Sequence, residues 1–470
     1  MGQKLTSHCL DRFSVLPSNS ARCCDDGSSC AISRPSHRSL RVVTMTASTE
    51  SDLLHQVWEY PLFDALFGRR SRRFGLGFEM TEGPFKYKSQ RVSLPLSDLE
   101  EAVLIAAGIG FSGTALWDQN RPLPFRGGEG RTFPSTSRGR RTVLFFTNDE
   151  GVYVVDPTAP PTSEMKVIET ADDRAKVLSL YRSSRKELQT GRLKIPRRVP
   201  PFSGHNLQIS NIPGSTLFMP ACDVSSSLIG LIAQFVDQRL ERFAAKNGPG
   251  MNIVDDRHGF RPAGTEKWIQ NGFLDKHNIM PLSHVERQAC YYMFSEPAMI
   301  CQNMFLATEA LGIGGWMHCG FLSRDVFTAL GFRTVVPGSQ SVLSNPIGLD
   351  GICQAYCPPY YPSMDAAVDA LLTPLLRKNA SAKPGYVSYF MPDAEHHNST
   401  VEISDEGIAC TKAICNYVYE TYGRFPGSLD AMHLMWFMQA HHLDTDYYDR
   451  YFRPGAYGPT HATHLSTWHR

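Results

Sequence analysis

What this chain lacks narrows its class first. No apolar run approaches the roughly 20 residues that span a bilayer, so the sequence implies no membrane segment. It lacks an excess of either charge: 47 Lys and Arg stand against 46 Asp and Glu, a net charge of +1, which argues against a bulk electrostatic nucleic-acid binder. Twelve cysteines are scattered over 470 residues with no paired C-x-x-C, so they form no disulfide framework. Reduced thiols in a cytoplasmic compartment are the simpler expectation. There is no internal repeat, and no Ser/His/Asp triad with a recognisable local signature. What is present, 42% apolar and 20% charged residues, is the balance of an ordinary globular protein, long enough for two units or one embellished domain.

Residues 1–50 are rich in Ser, Arg and Cys, without usable periodicity, and read as a disordered tail or a non-native extension ahead of Met45. Gly2 with Thr6 fits an acylation pattern too short to weigh, and the sequons at Asn379 and Asn398 are chance matches. Apolar residues from Leu54 to Phe67 predict a helix broken near Pro61. It runs into Gly68-Arg-Arg-Ser-Arg-Arg-Phe74, four arginines in five residues: a solvated surface run, or a fork-lined pocket for a phosphate. Ser97-Asp-Leu-Glu100 is a capping box opening a helix that Gly108 and Gly110 end. Thr142–Thr147, a turn at Asn148–Gly151 and Val152–Asp156 predict a β-hairpin. Residues 172–190 read as a polar helix, and Asp223 opens an amphipathic one expected to stop at Gly248.

The stretch around which the chain is organised is 297–321. Ser295 can cap a helix, Pro297 fits its first turn and Gly312 its end, with Ile300, Met304, Ala307 and Leu311 as a buried stripe. A separate short helix is expected over Ser283–Phe294. Gly312, Gly314, Gly315 and Gly320 then bracket a strand-like run, Trp316–Cys319. Such glycines mark either a tight helix-to-strand corner or a backbone that something flat approaches closely. The tail beyond Pro392 is rich in His and aromatics. His441, His442, Asp444, Asp446, His461, His464 and His469 cluster in sequence, and His461 and His464 stand at i, i+3, but no tight ligand motif emerges and no bound metal is expected.

Three segments in order resemble the FMN-dependent nitroreductase superfamily, including its thiazole/oxazole-forming dehydrogenase branch. Arg69, Arg70, Ser71 and Arg73 resemble its N-terminal arginine box; the capped helix followed by Pro134, Ser135 and Thr136 resembles its Pro-Ser loop. Gln302-Asn303 and the corner ending in Cys319 and Gly320 resemble its flavin-facing segment. The resemblance implies an α+β fold, a central antiparallel or mixed sheet flanked by helices, spanning 51–390 with an insertion over 158–285 and a helical C-terminal extension over 391–470. It further implies a homodimer that passes hydride through FMN to or from a small-molecule or modified-peptide substrate, with NAD(P)H or oxygen as electron partner and no nucleic-acid or membrane partner. The arginine box would hold the phosphate and the Gly320 backbone the flavin edge. The chain departs from the pattern after the Pro-Ser loop, where Ser137–Arg141 replaces the usual Asn and Gln-Pro-Trp. Cys319 stands where an acidic residue is common, and only Arg377, Lys378 and Lys383 are available as a C-terminal phosphate pair. These departures keep a flavin-free, inactive binding protein as the alternative.

Overall fold

The structure, a computed structural model, describes residues 50–114, 129–135, 142–155, 171–240, 248–336, 344–376 and 401–469. The expectation for the first 50 residues falls almost wholly outside this range, and Thr136, Arg377, Lys378 and Lys383 lie outside it.

The centre is an antiparallel sheet of six main strands: β1 (Thr142–Thr147), β2 (Gly151–Val155), β3 (Arg185–Thr190), β4 (Ser215–Asp223), β5 (Gly314–His318) and β6 (Phe437–His441). Their order across the sheet is β5-β6-β4-β1-β2-β3, with a short Met432–His433 segment also on β4. The β1–β2 hairpin forms as expected, Leu144 opposite Val155 and Thr147 opposite Val152. Alternation along β1, β2 and β4 explains why these strands look almost uniformly apolar, whereas the edge strand β3 is polar and mostly exposed. Phe145, Leu217, Met219 and Val154 join one core, while Leu144, Phe146, Phe218 and Val155 join another on the opposite face. A sheet covered on both sides has no polar face to show.

Helices cover both faces, which makes the architecture α+β. The second core is roofed by α1 (Glu50–Trp58), α3 (Asp98–Ile109) and the C-terminal half of α5 (Leu282–Leu311). The first is filled by α4 (Val224–Val236), the N-terminal half of α5 and α6 (Asp405–Tyr422). Between α1 and α3 lies α2 (Leu62–Gly68), so the break near Pro61 is real. A last helix, α7 (Pro459–Trp468), closes the chain. Among the described residues no helix is long and apolar enough to cross a membrane.

Several boundaries differ from those the sequence predicts. The organising helix begins at Leu282 rather than near Pro297, absorbing the helix expected before it. Pro297 cannot donate a backbone bond, which frees the carbonyl four residues back. That carbonyl, on Met293, accepts the Cys222 thiol of β4 at 3.3 Å, so the interior proline is accommodated by a sheet contact. Gly312 does end the helix, in a left-handed conformation with φ 81°. The polar helix stops at Ser184 and the chain continues as β3. The helix after Asp223 ends at Val236, and all thirteen of its residues are buried.

The two segments expected as additions are threaded through the sheet. β4, within 158–285, lies between β6 and β1; β6, within the C-terminal 80 residues, lies between β5 and β4. The chain around them is not an appendage.

Candidate functional site

The arginine segment follows α2 and runs along β5, Arg72 N–H donating to the Gly315 carbonyl at 3.1 Å. Extended backbone alternates its side chains, and the alternation sorts the arginines. Arg72 is buried and pairs with Glu309 of α5 at 2.5 Å, while also donating to the carbonyls of Gly68 and Ala456. Arg70, Ser71 and Arg73 are exposed and Arg69 half-exposed. The Arg69 guanidinium lies 4.8 Å from the Phe305 ring centroid and that of Arg73 4.9 Å from Trp316. Among the described residues no carboxylate pairs with Arg69 or Arg73. Arg72, one of the cluster in sequence, is therefore structural, and the other three form an outward cationic row.

Beside this row the corner is tightly filled. His318 stacks on Trp316, ring centroids 4.1 Å apart, and faces Phe321 and Phe437. Its Nδ1 accepts the Gly320 N–H at 3.1 Å, and the Gly320 carbonyl accepts Ser203 N–H at 2.8 Å. A Cβ on Gly320 would come within 2.0 Å of the Asn206 amide nitrogen. The glycine therefore serves a close approach by Asn206, and its N–H is already held. Cys319 is exposed. Gly320→Val consequently disturbs this packing whatever the chain binds, which makes it a poor probe of a cofactor.

Burial, then the nearby Arg73 charge, pushes His318 down to about 3. The unfolded chain takes up a proton near pH 6.5 that the folded ring refuses until about 3, so stability present above pH 6.5 is lost as pH falls. At pH 5 this one ring accounts for about 2 kcal/mol of lost stability. His318→Gln keeps an acceptor for Gly320 but does not titrate. Denaturant unfolding at pH 7 and pH 5 should show an acid loss about 2 kcal/mol smaller in the variant. Equal losses in the two proteins would mean that the ring protonates within the fold.

Pro134 is exposed, and the Ser135 hydroxyl donates to Glu296 at 2.5 Å, where Thr142 also donates at 2.8 Å. Glu296 and Glu309 are thirteen residues apart on α5, or about 20 Å along its axis. Arg73 thus lies beside Trp316 at the corner that ends in Cys319 and Gly320, while Arg69 lies beside Phe305, nine residues along α5 from the Glu296 that holds Ser135.

A second constellation brings together residues from both ends of the described chain. Ser97 and Glu100 form the expected capping box at the start of α3, with Glu100 Oε2 accepting the Ser97 N–H at 2.5 Å. The other oxygen, Oε1, faces three histidines: Nε2 of His442 at 3.0 Å, of His464 at 2.7 Å and of His469 at 3.1 Å. His442 follows β6 directly, His464 lies on α7 and His469 caps its end. Burial pushes the Glu100 carboxyl up, but the three imidazoles facing it outweigh burial and hold the group well below the usual carboxylate range. Burial pushes His464 down. The sequence marks these histidines as a cluster but shows Glu100 only as a helix cap; no local spacing connects residues 342 positions apart. The rest of the tail cluster goes elsewhere. Asp444 takes the Ser89 hydroxyl and caps a short helix, Asp446 pairs with Arg91, and His461 Nε2 lies 3.9 Å from Glu309.

No protein-family model matches this chain, and no curated protein does. Among solved structures, it is similar to the crystal structure of a "putative nitroreductase" from Ralstonia eutropha JMP134, over 58% of this chain and 76% of that chain, at 14% identity and a TM-score of 0.24. A likeness at that level carries no argument about function; the geometry of the arginine row and of the Glu100 cluster does.

Proposed function

We propose that this chain is a cytoplasmic, nitroreductase-like oxidoreductase that binds FMN and works as a homodimer. The observation that carries the reading is the outward row of Arg69, Arg70, Ser71 and Arg73, which continues an exposed apolar helix face. On α2, Leu62, Phe63, Leu66 and Phe67 are 62%, 70%, 42% and 74% exposed. Apolar side chains grouped on one short helix beside unneutralised guanidinium groups make a surface that wants both an anion and a cover. A flavin phosphate supplies the first, held by the Arg69 and Arg73 forks and the Ser71 hydroxyl; a second copy of the chain supplies the second. When bound, FMN supplies hydride transfer between a donor such as NAD(P)H, or an acceptor such as oxygen, and a small-molecule or modified-peptide substrate. The chain's own part is to fix the phosphate and keep water from the ring.

The phosphate half of this site fits FMN; the Gly320 corner, as packed, does not, because His318 holds its N–H and Asn206 fills its open side. That observation favours a second reading, a flavin-free binding protein that keeps the fold. Spectroscopy separates the two. The purified protein should be yellow and release FMN on denaturation. Arg69→Ala with Arg73→Ala should weaken FMN binding about 100-fold or more, because charge-assisted contacts contribute about 1.5–3 kcal/mol each, while circular dichroism stays native. A colourless protein that takes up no added FMN leaves the second reading standing. Light scattering that shows a monomer binding flavin would remove the second copy from the site.

A further inference from the structure

We infer that Glu100, His442, His464 and His469 form a binding site for one divalent transition-metal ion, which fastens the end of the chain to the sheet domain. The inference is independent of the flavin reading.

Hydrogen-bond accounting leads to it. His442 Nδ1 lies 2.8 Å from the Leu94 carbonyl, and His464 Nδ1 lies 2.8 Å from the Leu311 carbonyl. A carbonyl only accepts, so both Nδ1 atoms carry the proton. A neutral ring then presents a bare lone pair on Nε2. Both Nε2 atoms point at the same carboxylate oxygen, itself only an acceptor, and His469 Nε2 joins them. Without a cation, every one of these contacts needs a proton on Nε2. His442 and His464 would both be imidazolium, packed with ring centroids 5.2 Å apart where their side chains are 0% and 2% exposed, against a single carboxylate. Two such charges at that separation, with a third ring beside them and one counter-charge, are strongly unfavourable in a buried site.

One divalent ion removes the conflict. Nδ1–H to a backbone carbonyl with Nε2 free is how a protein presents histidine to a metal, and the carbonyl fixes both tautomer and ring orientation. Glu100 is prepared in the same way, one oxygen held by the Ser97 N–H and the other turned inward. The four donor atoms lie within 4.8 Å of one another. Ligands about 2.0–2.1 Å from a tetrahedral ion stand about 3.3 Å apart. The carboxylate-to-imidazole spacings of 2.7–3.1 Å therefore open by a few tenths of an ångström, and the wider spacings, up to 4.8 Å, close around the ion. Three imidazoles and one carboxylate suit zinc, iron or cobalt rather than calcium or magnesium, which take oxygen-rich shells. Four protein ligands close a tetrahedron, as in structural sites. The ligands come from the start of α3, the residue after β6, and α7 with its cap, so the ion would join the last helix to the domain. His469, with its side chain 20% exposed, is the ligand on the solvent side.

The test uses the full chain without a histidine tag, loaded with zinc or cobalt(II) and dialysed. Elemental analysis should give one ion per chain, and cobalt should give the intense visible bands of a tetrahedral site. Glu100→Gln, which preserves the cap geometry, and His464→Gln should each lower affinity about 100-fold or more, beyond the 10–100-fold typical of losing an outer partner. His469→Ala should still fold, bind more weakly and shift the cobalt spectrum, while His277→Ala, at an exposed position, should change nothing. Chelation should lower the melting temperature of the wild type and leave that of Glu100→Gln unmoved. The inference is overturned if the natively folded wild type holds no stoichiometric zinc or cobalt. It is equally overturned if Glu100→Gln and His469→Ala both bind as wild type does.

Discussion

Replacing Arg72 by Met should cost about 3–5 kcal/mol of unfolding free energy, whereas Arg69→Ala, three residues away, should cost under about 1 kcal/mol. The two arginines look alike in sequence and differ wholly in surroundings. Arg72 and Glu309 have side chains 5% and 2% exposed, and the guanidinium also satisfies the Gly68 and Ala456 carbonyls. Methionine fills much of the same space but leaves a carboxylate buried without its cation. Glu309 can escape by taking up a proton, and burial already pushes its carboxyl up. The penalty should therefore shrink as pH is lowered toward 5, and adding Glu309→Gln should restore part of the loss. Guanidinium unfolding of the four proteins at two pH values measures this. A loss below about 1 kcal/mol for Arg72→Met would mean that the pair contributes no more than a surface bridge.

Gly312→Val should be at least as damaging, about 4 kcal/mol or more. Two independent effects coincide there. The glycine stops α5 at φ 81°, a region in which a β-branched residue is strained, and a Cβ would lie 2.4 Å from the Thr460 carbonyl oxygen and 2.5 Å from its carbon. Both obstacles are backbone, so no side chain can turn aside. The move open to the chain is to lift α7 away, and that helix carries His464 and its cap His469. Limited proteolysis should then release a C-terminal fragment from the variant and not from the wild type. Gly83→Ala is the control: its φ is +85°, yet nothing lies within 4 Å of the added carbon, so strain alone should cost about 1 kcal/mol. Equal stability of the two variants would show that α7 does not press on Gly312.

The elements legible in the sequence are those with a local mark. Ser97-Asp-Leu-Glu100 caps α3 in the way its spacing predicts, Gly312 stops α5, and Asn148–Gly151 turns the hairpin. Strand β4 carries no such mark. With both faces buried, Ser-Thr-Leu-Phe-Met-Pro-Ala-Cys-Asp shows no alternation, and its proline argues against a central strand. The start of α5 is not legible, because Pro297 satisfies a first turn as well as it can be tolerated mid-helix when another group takes the freed carbonyl, as Cys222 does. At the candidate sites, the arginines are neighbours in sequence and so are the corner glycines, but nothing local shows that the two segments meet, that Arg72 turns inward or that His318 holds Gly320. The Glu100 cluster is beyond local reading. Its carboxylate does cap a helix, which accounts for its presence, and its partners arrive only through the threading of β6 and α7.

That threading sets a timetable for synthesis. β5 ends at His318, but the strand that separates it from β4 begins only at Phe437. At about 5–20 residues per second, a ribosome needs about 6–24 s to make the intervening chain. Through that interval β4 and β5 have finished leaving the ribosome's catalytic centre with no partner for their facing edges, and open apolar edges are the kind that pair with other chains. The nascent chain therefore carries two open strand edges through that interval, and truncation before residue 437 should yield aggregates rather than a smaller folded domain.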